Sequence, residues 1–325
     1  MWRALRGNEH ARPLAVLVAC ILLLTLVDLG SNRFLSSATA YSTLQIFATG
    51  GLVALGLGLS MMIREFDLSV VGMYGLAGCI AVLTGTENPW IGLGAALGIG
   101  IAAGLFQGFL IVRLGLSSVG VTLGGLLVCV GIAFVLTESR SLPYENMRVA
   151  LLLNERFGGI LSIRSVVTIV IFLLVAALFA WTRTGRDIVA TGSDRRAAVT
   201  TGVNVDALVI GIFAFSGFCA ALAGALLSYS LASASPAGLS DVIAPAAAAA
   251  ILGGVSLAGG TGRPLGIATG VLTLAVLRSG LNAVGAPPFV NDITIGAILL
   301  TVAILDGPYL ARRLIGPRRW LARER

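Results

Sequence analysis

Long apolar runs with almost no charge inside them limit what this chain can fold into more than any other feature. Charged residues make up 11% and hydrophobic residues 57% of its 325 positions, whereas a water-soluble domain carries about 25% charge. A helix needs about 20 mainly apolar residues to cross roughly 30 Å of hydrocarbon. Such runs lie near 14–29, 42–63, 68–85, 90–112, 116–137, 165–182, 207–231, 245–258, 264–282 and 293–310. The pattern predicts an all-α polytopic membrane protein with about ten transmembrane helices. The runs 68–85 and 245–258 are short and rich in Gly or Ala, as short or interrupted helices would be. Polar stretches stay under about thirty residues, so 1–325 reads as one transmembrane domain.

Charge gives the expected orientation. All 22 basic side chains are arginine. With ten spans and both termini in the cytoplasm, sixteen arginines face inward, in the tail 1–13, at 64 and 113, in 183–206, at 263, and in the basic tail 311–325. Arg33, Arg140, Arg148, Arg156 and Arg164 face outward, and Arg278 lies inside a span, where it would snorkel or else serve the pathway. This bias follows the positive-inside rule. The net charge of +7 then reflects orientation and anionic headgroups, with no nucleic-acid partner implied. The N-terminus resembles a signal peptide, but Ala38-Thr39-Ala40 lies too far past the apolar run for cleavage. An uncleaved first span is expected; cleavage would leave nine spans and an external N-terminus.

Several chemistries are missing. Without lysine there is no phosphate-binding loop of the Walker type. His10 is the single histidine, and Cys20, Cys79, Cys129 and Cys219 lack metal-type spacing, so no cofactor, metal site or enzymatic activity is expected. Asp28, Asp67, Asp241, Asp292 and Asp306 fall near span ends, where solvation at the interface is the default. Glycines repeat every four residues at Gly94/Gly98, Gly100/Gly104/Gly108 and Gly262/Gly266/Gly270, a spacing that lets membrane helices approach closely. Leu123-Gly124-Gly125 and Leu252-Gly253-Gly254 are a weak hint of paired interrupted helices.

A chain shaped to move a solute, yet without an intramembrane carboxylate pair to relay a proton or couple an ion, needs an engine on another polypeptide. The cytoplasmic stretch 183–206 offers the docking surface, with Ser193 or Asp194 placed to cap a short helix near Arg195. The external stretch 138–164 would cover the outer mouth or dock a partner.

Five motifs then carry a resemblance. Phe66-Asp67-Leu68-Ser69-Val70 resembles an IDLSVG element, with Val71 intervening before Gly72. Val121-Thr122-Leu123-Gly124-Gly125 resembles VTLG, with Ser117 and Val119 where proline and phenylalanine are usual. Gly185-Arg186 through Gly202-Val203-Asn204-Val205 resembles a cytoplasmic loop motif, departing at Asp194, Arg195, Arg196 and Val199. Ala250 through Gly262 resembles AAVLGGTSLAGGRG almost throughout. Ser279-Gly280-Leu281-Asn282 and Ala303-Ile304-Leu305-Asp306 resemble the closing NGLN and AVLLD elements. In this order they resemble the membrane permease family of ribose-type ABC importers, over about 40–310.

The resemblance implies a permease subunit of the bacterial inner membrane, paired with a second permease copy. Cytoplasmic ABC ATPase subunits would bind below, and a soluble solute-binding protein would deliver ribose, xylose, galactosides or related solutes from outside. Relatives further off carry branched-chain amino acids or nucleosides, and an ion-coupled secondary carrier is the rival class. The cytoplasmic loop would be the coupling helix. Arg186, Gly192, Asp194, Arg195, Arg196, Ala198 and Gly202 are its candidate coupling residues, Asp194, Arg195 and Arg196 as charged contacts or merely as solvated charges. The pathway is expected near Asp67, Leu68 and Ser69, near Thr122, Leu123 and Gly124, and near Leu252, Gly253, Gly254 and Ser256. The same residues would otherwise serve only to pack helices.

Overall fold

The computed structural model describes residues 11–28, 33–238 and 242–301. The expectations for Arg3, Arg6, His10, Asp241, the Ala303–Asp306 element and the tail 311–325 lie outside these residues, as does the side chain of Arg12.

Each apolar run holds a helix. The series begins with α1 (Ala11–Val27), α2 (Ser37–Met62), α3 (Val70–Thr84), α4 (Pro89–Leu114) and α5 (Ser118–Leu136). It continues with α6 (Met147–Asn154), α7 (Ile163–Trp181), α8 (Arg183–Ser193), α9 (Arg195–Thr200) and α10 (Val205–Ser230). After these come α11 (Ile243–Leu252) and α12 (Pro264–Ala283), and the apolar helix α13 (Pro288–Thr301). Six of them, α2, α4, α5, α7, α10 and α12, are long and apolar enough to cross a membrane, while α1, α3, α11 and α13 are shorter. The helices α2 and α13 each start five residues before their apolar runs, and one further boundary differs more. The run 245–258 is not one helix, because α11 stops at Leu252 and the chain turns through Gly254, Gly259, Gly260 and Gly262, all at positive φ.

Local chemistry sets the helix starts. Ser36 Oγ accepts from the Thr39 N–H at 3.2 Å to cap α2. Asn88 Oδ1 accepts from Trp90 N at 3.0 Å, with Pro89 in the first turn of α4. Ser162 and Ser165 cap α7 reciprocally, and α4 ends at Gly115 in the left-handed region, φ +63°.

The packing centres on α2 and α10, the two most buried of the long helices. Lipid gives helices no hydrophobic reason to associate, so backbone proximity and van der Waals contact must do it. Gly100 and Gly104 of α4 abut the Gly217 and Phe213 carbonyls of α10, where a Cβ would collide. Gly94 and Gly98 share the four-residue spacing but face open space. The periodicity therefore marks a packing stripe only from Gly100 onward.

The segment 138–164 folds down over one end of the bundle. Its β1 (Leu142–Pro143) pairs antiparallel with β2 (Ser233–Ala234) after α10. Tyr144 stacks on Tyr229 at 4.6 Å between centroids and donates to the Gly85 carbonyl at 3.0 Å.

Candidate functional site

Four of the sequence motifs meet at one junction, at the end of the bundle opposite the 138–164 cover. It is built around the turn between α2 and α3. Arg64 leaves α2 with φ +65° and donates to the Ser193 carbonyl at the end of α8, 2.7 Å away. Beside it, Glu65 accepts from Arg195 of α9 at 3.0 Å, with the arginine side chain 47% exposed and the glutamate 13%. A pair this open to solvent contributes at most about 1 kcal/mol. Its use is positional.

Phe66 comes next, and α5 holds its peptide. The Phe66 N–H donates to Ser118 Oγ at 3.3 Å. Thr122 Oγ1 lies 3.1 Å from the Phe66 carbonyl and 2.7 Å from the Ser118 carbonyl, so one hydroxyl proton serves both. Asp67 then turns inward. Its Oδ1 accepts from the Ser69 N–H at 3.0 Å and Ser69 Oγ at 2.6 Å, a side-chain turn that delivers the chain into α3. Ser216 of α10 sits beside the same carboxylate without reaching hydrogen-bond geometry. The expectation that Asp67 is solvated fails, for it is 1% exposed. Asp28 fails likewise: it is buried and accepts from the Phe34 N–H. Asp292 is exposed.

The glycine-rich stretch after α11 closes the junction from the other side. Gly260 N–H donates to the Met62 carbonyl at 2.8 Å. Gly192 packs against both, and a Cβ there would overlap the Met62 carbonyl and stand 2.5 Å from Gly260 N. Glycine is required for this approach.

The loop 183–206 contains two helices where one was expected, because the amphipathic stretch 183–193 is helical as well. Asp194 breaks between them and caps α9, accepting from Arg196 N at 2.9 Å and Ala197 N at 3.1 Å. The N–H groups of Ala197 and Arg196 hold its carboxyl below the usual carboxylate range. Arg186, Asp194, Arg195 and Arg196 are exposed, and Gly202 ends α9 at φ +86° with open space around it. Gly192 and Ala198 instead face inward, Ala198 at 3% exposure. The coupling set thus divides into exposed charges, of which Arg195 reaches back to Glu65, and the buried pair Gly192 and Ala198.

The candidate pathway residues do not form one group. Asp67, Ser69 and Thr122 are buried at the junction and Leu68 is partly so, while Leu123 and Gly124 face outward from α5. Leu252–Ser256 packs elsewhere, with Gly253 against the Gly266 carbonyl of α12, Gly254 exposed and Ser256 Oγ accepting from Ala258 N at 3.1 Å.

Against known proteins, the family described as "Branched-chain amino acid transport system / permease component" matches residues 39–303. The chain belongs to that family. The permease is 32% identical over 312 residues to the autoinducer 2 import system permease protein LsrC of Photorhabdus laumondii, covering 92% of this chain and 90% of that one. It is 30% identical over 299 residues to the ribose import permease protein RbsC of Escherichia coli, covering 89% and 92%. The permease is thus a multi-pass membrane transport component.

One polar cluster escaped the sequence reading. Arg164, expected merely to face outward, turns into the bundle at 5% exposure. It donates to Gln45 Oε1 at 3.2 Å, Thr49 Oγ1 at 2.6 Å and Ser230 Oγ at 3.0 Å. Ser230 Oγ donates onward to Asn154 Oδ1 of α6 at 2.8 Å. Gln45 and Thr49, one helical turn apart on α2, were the available signal.

Proposed function

We propose that the permease is the pathway subunit of an ATP-driven importer for a sugar or sugar-like solute in a bacterial inner membrane. A soluble binding protein delivers the solute, ATPase subunits bind the α8–α9 face, and a second permease copy completes the pathway. Ten crossings with both termini cytoplasmic fit the arginine distribution. No cofactor is assigned to this chain, and ATP is hydrolysed on the partner.

The observation that carries this reading is the construction of α8–α9. Arg186 and Arg196 are exposed and Arg195 reaches back to Glu65, while Gly192 seats the unit against Met62 and Gly260 and Ala198 is buried. A permease without a nucleotide site is biased only by partners that bind its two states differently, and this elbow is built to receive such a bias. The import relatives of ribose and autoinducer 2 support the sugar-like class.

Reconstitution with the ATPase and binding protein tests it: ATP-dependent uptake of ribose-class sugars is expected, and its absence with every such sugar contradicts the class. A second reading, branched-chain amino acids, is favoured by the family's printed description. A thermal-shift screen of the binding protein separates the two.

A further inference from the structure

We infer that the α2–α3 turn, residues 64–67, is the relay that carries motion of α8–α9 into α5. The inference rests on the reading of α8–α9 as the ATPase contact and names the parts that act next. Two contacts tie the elbow to the turn, Arg64 to the Ser193 carbonyl and Arg195 to Glu65. The backbone N–H and C=O of the next residue, Phe66, are both held by α5, through Ser118 and Thr122. These grips lie within four consecutive residues, too short a chain to absorb displacement by bending. Asp67 braces the segment from inside, tied to Ser69 at the head of α3 and facing Ser216 of α10.

What lies downstream is suited to move. Of the long helices α5 is the least buried, with Leu123, Leu127, Val128 and Val135 all exposed. Its main support is α3, where Gly72 abuts the Leu126 carbonyl. By contrast α2 and α10 are locked in the core. A displacement entering at the turn meets least resistance along α5. Ser118 and Thr122 are therefore positioning residues, joining the α8–α9 elbow to the least buried of the long helices.

The test uses the assembled permease–ATPase complex, spin-labelled in a cysteine-free background at Val119 of α5 and Trp181 of α7, both exposed. Nucleotide trapping in the parent complex should change the distance between the labels. The double variant Ser118→Ala with Thr122→Val releases both grips while leaving the outward charges of α8–α9 in place. It should abolish the distance change and lower ATP-driven uptake about tenfold, within the range of ordinary coupling energies. Thr122→Ser, which keeps the hydroxyl, should restore most of both and exclude a folding defect. If the double variant shows the parent's distance change and uptake, the relay is overturned while the permease reading stands. If the parent itself shows no nucleotide-driven change, the reading of α8–α9 falls and the relay with it.

Discussion

Arg164 is charged and buried, and its three hydrogen-bond partners are all neutral. Removing the donor takes one hydrogen bond to a charged group from each of Gln45, Thr49 and Ser230, at about 1.5–3 kcal/mol for such a bond, although each keeps another partner. Arg164→Ala should therefore lower the melting temperature of the detergent-solubilised protein markedly. Arg164→Lys, with fewer donors in a different geometry, should recover only part of the loss. Asp194 is the opposite case, exposed and acting locally. Because its folded carboxyl titrates below the unfolded value of about 3.9, its capping contribution is fully present above that value. The cap is lost only as pH falls through the still lower folded value. Across neutral pH it is constant. Asp194→Ala should speed hydrogen exchange at the amides of Arg196 and Ala197, whereas Asp194→Asn, which keeps a capping oxygen, should leave them protected.

At the scale of elements, the glycine stripes separate into those that hold helices together and those that do not. Gly104→Leu forces α4 off the Phe213 carbonyl and should destabilise by about 1–3 kcal/mol, the usual cost of overpacking. Gly98→Ala meets nothing and should be neutral in the same thermal unfolding assay. Hydropathy made the helices legible, since each apolar run contains one and, where the ends are described, the boundaries agree within about five residues except at the end of α11. It could not reveal α6 and α8, which are short and amphipathic inside segments that read as polar. The burial of Asp67 was equally out of reach. Position near a span end argues for solvent, and the groups that enclose it come from α5 and α10, about 50 and 150 residues further along the chain. The motif letters named these residues, but only packing shows that Phe66 and Thr122 touch.

The whole molecule has a well-buried part and a less buried part. The first is α2 and α10 with their glycine contacts and the Arg164 network at the far end. The least buried long helix is α5, which the proposed relay reaches from the α8–α9 elbow through one turn of chain. Gly192→Val cannot be seated without displacing the Met62 carbonyl, so it should separate the elbow from the turn. Uptake should fall while ATPase subunits still bind, measured by co-purification and transport in parallel. The account as a whole requires that this chain do no work alone. The most direct measurement compares proteoliposomes holding the permease alone, under an imposed proton or sodium gradient, with proteoliposomes that also hold the ATPase and binding protein. Solute should accumulate only in the second set, and only with ATP. Accumulation by the permease alone, driven by the ion gradient, would contradict the account.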